Sequence, residues 1–245
     1  APTGSGKTLS AFLWALDRLA STPRPDDVDR RCRVLYVSPM KALAVDVERN
    51  LRSPLVGIRH AATRLGLSEP EVSVAVRSGD TTPKQRRDFA SKGADVLITT
   101  PESLFLLLTS NARERLKGVQ YVIIDEIHAV AGTKRGAHLA VTLERLDELL
   151  DSPAQRIGLS ATVRPISEVE RYLAGGRPVT TVAPPITKTW ELDVVVPVED
   201  MANIPPPVSD ADPAAPVPRL IAAHLLARID EQTVELPPMV GQILR

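Results

Sequence analysis

The first eight residues, Ala1-Pro2-Thr3-Gly4-Ser5-Gly6-Lys7-Thr8, run directly into a helical pattern, and few folds accept such a start. Glycines at 4 and 6 let backbone N–H groups turn toward an anion without a Cβ clash. A helix opening near Gly6 points its positive dipole end at the same anion. Lys7 places a cation on the outer phosphates of a nucleotide, and Thr8 offers a hydroxyl to Mg2+. These residue types at this spacing form a phosphate loop with alanine in its first position. Thr3, Gly4, Ser5, Gly6, Lys7 and Thr8 are therefore candidate nucleotide-binding residues.

The pattern downstream agrees with such a loop. Apolar, β-branched runs at Val34–Val37, Val72–Val76, Val96–Thr99, Tyr121–Asp125, Ile157–Ser160 and Val179–Val182 read as strands. Their continuous apolar character suits parallel strands covered on both faces. Helical patterns lie between them, at Gly6–Ala20, Lys41–Leu65, Pro83–Ala90, Glu102–Leu108, Ala137–Leu150 and Ser167–Leu173. The second is expected to break at Ser53-Pro54, because proline disfavours helix at the residue before it. Strand and helix in alternation predict an α/β fold with a doubly wound, mostly parallel sheet. Composition changes near residue 184, and residues 201–245 hold eight of the 22 prolines. We therefore expect a nucleotide-binding domain over 1–183, an exit strand or linker over 184–200 (with Thr189–Val196 as a strand), and a Pro-rich extension over 201–245. One amphipathic helix is expected in that extension, at Arg219–Glu231.

Composition narrows the partners. Basic and acidic residues number 30 each, so nucleic acid, if bound, must meet a local basic face and not bulk charge. Aromatics are 3%, too few for base stacking to be the main binding mode. The single cysteine, Cys32, excludes an intramolecular disulfide and points to a reducing cytoplasm. No apolar run approaches the ~18 residues a membrane span needs.

Tyr121-Val122-Ile123-Ile124 leads straight into Asp125-Glu126-Ile127-His128. Four apolar residues followed by two carboxylates describe a buried strand delivering acids at its carboxyl end, where open α/β sheets bind ligands. Asp125 can hold a magnesium shell, and Glu126 can orient and polarise an attacking water. Acids also occur at strand ends that merely turn into solvent; the phosphate loop upstream favours the catalytic reading of Lys7, Asp125 and Glu126. His128 either couples the nucleotide to a neighbouring element or caps the strand. Ser38-Pro39 and Thr100-Pro101 each end a strand and open a helix, so hydroxyls and free amides there make anion sites suited to a nucleic-acid backbone. The same hydroxyls can cap the helices, and both roles can hold at once. The turn Arg77–Thr82, the basic start of the following helix, and Lys134 with Arg135 are further possible backbone contacts or solvated charge.

Five motifs in order resemble the first RecA-like domain of a superfamily 2 helicase. Ala1–Thr8 resembles motif I, Ser38–Leu43 motif Ia, Thr99–Leu104 motif Ib, Asp125–His128 a DEIH-type motif II, and Leu159–Thr162 motif III. Ser38–Asp46, Gly132–Arg145 and Ser160–Arg164 further resemble the bacterial Lhr (large helicase-related) family, over roughly residues 1–200. The resemblance implies ATP and Mg2+ as cofactors, with Thr8 and Asp125 at the metal. It implies nucleic-acid contacts at Ser38, Pro39, Lys41, Thr99, Thr100 and Glu102, and coupling through His128, Ser160 and Thr162. It implies ATP-driven 3′→5′ movement on single-stranded DNA and unwinding of duplexes and RNA–DNA hybrids, in bacterial DNA repair, with no membrane involved.

Other readings remain separable from this one. A P-loop ATPase acting on protein or membrane cargo is disfavoured by Thr99–Leu104 and Ser160–Thr162, which resemble backbone-binding and coupling elements. A catalytically incomplete nucleotide-binding remnant is the non-enzymatic alternative. The strand that the family places before the phosphate loop and a second RecA-like domain have no counterpart in the sequence, and Ala1 leads us to expect a natural start upstream. Translocation needs two domains that open and close on the strand. The purified 245-residue chain is therefore expected to show no ATP-dependent separation of a fluorescently labelled duplex.

Overall fold

The computed structural model describes residues 6–39, 41–161 and 163–183, together with the backbone pairs 227–228 and 234–235; for 41–50 and 52 it describes the backbone alone. The chain divides into two compact units, Ala1–Ile186 and Thr187–Arg245. In the first unit, α1 (Lys7–Ser21) precedes β1 (Val34–Val37), α2 (Lys41–Arg64), β2 (Val74–Arg77), α3 (Pro83–Lys92) and β3 (Val96–Thr99). Then come α4 (Pro101–Leu108), β4 (Tyr121–Ile124), α5 (Lys134–Leu149), β5 (Gln155–Gly158) and α6 (Ile166–Ala174). The strands form one five-stranded sheet in the order β2-β3-β1-β4-β5, and every pairing is parallel. In the second unit, Ala227–Arg228 pairs antiparallel with Val234–Glu235.

The order contains a reversal. From β1 the chain winds outward to β2, returns to β3, then crosses β1 to start β4 and wind the other way. The carboxyl ends of β1 and β4 thus flank the switch point, the place where a crevice opens above a parallel sheet.

Alternation along each strand builds two cores. Val34 and Tyr36 of β1, Val96 and Ile98 of β3 and Ile123 of β4 pack with Phe12, Leu16 and Leu19 of α1 and Leu51 and Leu55 of α2. Leu35, Val37, Leu97, Val122 and Ile124 point the other way, against Leu104 and Leu107 of α4 and Leu139, Leu143 and Leu146 of α5. The central strands β1 and β3 are buried along their whole length, as their uninterrupted apolar runs predict. Each large side chain so buried contributes roughly 1.5–3 kcal/mol.

Four local expectations are corrected. Lys41–Arg64 is one helix with Pro54 inside it, not two. Proline removes a backbone hydrogen bond at a cost of ~3 kcal/mol, but Leu51 and Leu55 on either side are both anchored in the core and offset it. β5 begins at Gln155, two residues before the apolar run, because Arg156 enters the strand with its guanidinium satisfied by Glu144 and Asp147 at 2.8 Å each. Val179–Val182 forms no strand; Val182 is 81% exposed, with no strand among the described residues beside it. Of the helix expected at Arg219–Glu231 only Ala227 and Arg228 are described, and they are extended. The expected strand at Thr189–Val196 lies outside the described residues.

The amino edge of the sheet is closed by one carboxylate. Asp95, just before β3, is fully buried and accepts hydrogen bonds from the Ser73 N–H at 2.9 Å and the Ser73 hydroxyl at 2.6 Å. Arg24 Nη2 lies 3.0 Å from it and Arg33 Nη2 3.5 Å. The loop after α1 and the starts of β1, β2 and β3 are thereby tied together. Removing one partner of a buried ionic cluster strands the others, at a typical cost of ~3–5 kcal/mol. Asp95→Ala is expected to lose stability on that scale in urea unfolding, with nucleotide affinity of the folded fraction unchanged.

Candidate nucleotide and nucleic-acid site

β4 delivers Asp125 to the carboxyl edge of the sheet, where its N–H donates to the Val37 carbonyl at 2.9 Å and closes the ladder. The side chain is 6% exposed. Buried carboxyl oxygens need hydrogen-bond partners. Oδ1 accepts from the Glu126 N–H at 2.9 Å, and Oδ2 accepts from the Tyr36 hydroxyl of β1. The Thr8 side chain, in the first turn of α1, lies near the same phenol. Burial first, then the bond to Asp125, push the Tyr36 phenol well above its usual pKa. The ring stacks on Phe12 with centroids 4.8 Å apart. α1, β1 and β4 therefore converge at one place, with Thr8 near the Tyr36 phenol and Tyr36 bonded to Asp125.

α1 starts where the loop chemistry places it. Gly6 caps it at φ 76°, a left-handed conformation that L-residues with a Cβ rarely adopt. Thr3, Gly4 and Ser5 lie outside the described residues, as does Thr162. Lys7 opens the helix and is partly exposed.

Glu126 follows Asp125 at φ 42°, ψ 43°, also left-handed. For a non-glycine residue this stores ~1–3 kcal/mol of strain, a cost that clusters at functional sites. The turn swings the Glu126 carboxylate to 3.2 Å from His128 Nδ1, and the Ser160 hydroxyl lies 3.4 Å from the same nitrogen. His128 thus links the acid after β4 to the segment after β5. The structure brings Thr8, Asp125, Glu126, His128 and Ser160 to the same edge of the sheet.

The expected nucleic-acid residues sort less evenly. Ser38, Pro39, Thr99 and Thr100 are all buried. The Thr99 hydroxyl donates to the Arg77 carbonyl at 2.7 Å. Thr100 caps α4, accepting from the Ser103 N–H at 3.4 Å. Glu102 is exposed and forked onto Arg135 of α5, whose guanidinium holds its carboxyl below the usual carboxylate range. The side chain of Lys41 is not described.

Sequence reasoning missed Tyr36. The signal was present: in a strand buried on both faces, alternation puts Tyr36 on the α1 side, and a buried phenol needs a partner. Its partner, 89 residues away, could not be read locally. The Glu102–Arg135 fork was missed for the same reason, across 33 residues.

A P-loop strand-helix array with an acidic pair at the switch point defines a RecA-like nucleotide-binding domain. The DEAD/DEAH box helicase family matches residues 1–171, and the chain belongs to that family. It is 66% identical to a Lhr helicase of Mycolicibacterium smegmatis over 204 residues, 83% of this chain and 13% of that protein. It is 55% identical to the Lhr helicase/uracil glycosylase of Escherichia coli, over 83% of this chain and 14% of that one. The structure of Mycobacterium smegmatis helicase Lhr bound to ssDNA and AMP-PNP superposes with a TM-score of 0.73 at 60% identity, covering 92% of this chain and 27% of that one. The chain thus spans about an eighth of the length of these curated relatives.

Lys7→Ala removes a charge-assisted contact to phosphate worth ~1.5–3 kcal/mol. Nucleotide affinity, measured by titration with a fluorescent ATP analogue, is expected to fall about tenfold or more.

Proposed function

We propose that this chain is the ATP-binding half of an Lhr-type helicase, which couples ATP hydrolysis to movement on single-stranded DNA. The observation that carries the reading is the meeting of Thr8 and Asp125 at the switch point beside one hydroxyl, that of Tyr36. Among the described residues no three His, Cys, Asp or Glu side chains gather into a metal site. Two hard oxygen donors beside nucleotide phosphates are nevertheless the set that Mg2+ takes, since it keeps much of its water and needs few protein ligands. Thr8 and Asp125 fit it. When bound, Mg2+ neutralises charge on the outer phosphates.

The chain's own groups do the rest. The α1 amides and Lys7 bind the phosphates and fix their orientation. Glu126, swung out by its left-handed backbone, orients a water and receives its proton. The Glu126–His128–Ser160 contacts give nucleotide state a path to the segment after β5. Nucleic-acid backbone is proposed to meet the N-terminal amides of α2 and α4, beside Ser38, Lys41 and Thr100. Because Ser38, Thr99 and Thr100 are buried, amides supply the contact, while the Thr99 and Thr100 hydroxyls bond to the Arg77 carbonyl and the Ser103 N–H. Such contacts read phosphate and not bases, so affinity is expected to be salt-dependent and indifferent to sequence.

The finer proposals follow from the resemblance and the relatives: a second RecA-like domain as partner, RNA–DNA hybrids among the substrates, and DNA repair in a bacterial cytoplasm. The M. smegmatis structure bound to ssDNA and AMP-PNP supports the ligand classes. The single, buried Cys32 suits a reducing compartment. No described helix is long and apolar enough to cross a membrane.

The test is Glu126→Gln in the intact helicase. Nucleotide binding should be retained, while DNA-stimulated ATP hydrolysis falls by ~10²-fold or more, the scale of losing a general base. Hydrolysis within about twofold of wild type removes Glu126 from the chemistry.

A further inference from the structure

Across the sheet, one row of paired residues reads Val76, Ile98, Tyr36, Ile123, Ile157. Four are aliphatic, and the fifth carries a hydroxyl at zero exposure. Packing does not require that oxygen: a phenyl ring would stack on Phe12 and fill the same space. A buried phenol instead demands a hydrogen bond, and its partner comes from another strand, Asp125 at the end of β4, with Thr8 of α1 close by.

The donors and acceptors are ordered. A carboxylate only accepts, so Tyr36 donates its proton to Asp125 Oδ2. Asp125 Oδ1 is held by the Glu126 N–H at 2.9 Å, so the carboxylate cannot rotate without breaking two bonds. Each carboxylate oxygen keeps acceptor capacity beyond its present partner.

We propose that Tyr36 is a positioning residue for the divalent cation: its hydroxyl holds the Asp125 carboxylate in place, so that a nucleotide arriving with Mg2+ meets an oxygen donor already oriented. This rests on the ATP and Mg2+ reading of the site given above. Preorganised donors avoid the ordering cost that would otherwise weaken binding. The ring's burial serves the core, and the hydroxyl serves the metal.

The test is Tyr36→Phe in the full chain, with binding of a fluorescent ATP analogue followed as Mg2+ is titrated. Without Mg2+ the variant should bind nucleotide as wild type does. The Mg2+ concentration giving half-maximal binding should rise by about fivefold or more, the scale of one lost hydrogen bond. A purely packing role would shift melting temperature and Mg2+-free binding instead. A half-saturating Mg2+ concentration within about twofold of wild type overturns the inference, that being less than a hydrogen bond contributes. If wild type itself shows no Mg2+-dependent binding, the reading of the site as an ATP and Mg2+ site fails, and the role of Tyr36 with it. Should the variant not fold, 3-fluorotyrosine in the wild-type chain decides, since its three tyrosines, Tyr36, Tyr121 and Tyr172, report separately by fluorine NMR. The Tyr36 signal must move when Mg2+ is added to the nucleotide-saturated chain, and an unmoved signal overturns the inference.

Discussion

A carboxyl group almost out of water at the end of β4 sets the terms for everything around it. Asp125 is tolerable there because a backbone amide and a phenol satisfy its two oxygens. That requirement brings β1 beside β4 at this level, and Tyr36 onto the same face as α1. α1 then starts close enough for Thr8 to lie near the phenol. The helix that follows the phosphate loop is held against this face of the sheet by Phe12, Leu16 and Leu19, with Phe12 stacked on the Tyr36 ring.

The sheet handles buried charge differently at its two edges. At the amino edge, Asp95 is closed off by Ser73, Arg24 and Arg33, and every carboxylate oxygen has a partner from the protein. The Asp95 carboxylate is wholly buried and wholly partnered, so it works as a fastening. At the carboxyl edge, Asp125 and Glu126 have partners yet retain acceptor capacity, and helix N-termini surround them. Parallel strands force this asymmetry, because every crossover helix starts at the carboxyl edge and points its unsatisfied amides there.

The strained backbone at Glu126 belongs to the same logic. Two consecutive carboxylates on an extended strand would point to opposite faces. The left-handed turn breaks that alternation and sends Glu126 toward His128 and Ser160 while Asp125 stays beneath α1. Two acids adjacent in sequence acquire separate surroundings, one buried and pinned, the other half-exposed and linked to the segment after β5. The division of labour proposed for them needs such a separation.

Local sequence determined a good deal. Strands β1 and β3 follow from runs buried on both faces, and the spacing of Leu139, Leu143 and Leu146 makes the stripe that α5 buries. The phosphate loop, its helix and the acidic pair are legible because each is a short motif whose chemistry depends on neighbours within a few residues. Tertiary structure decided what depends on distant partners. Pro54 stays helical only because Leu51 and Leu55 have a sheet to sink into. Arg156 can open β5 only because Glu144 and Asp147 wait on α5. Thr99 and Thr100 read in the sequence as nucleic-acid contacts, yet the packed edge buries both. Tyr36 reads as one more apolar strand residue until the fold sets its hydroxyl against Asp125. Periodicities of two and 3.6 tell which face a side chain takes; what stands opposite is settled only when elements far apart in the chain close on one another.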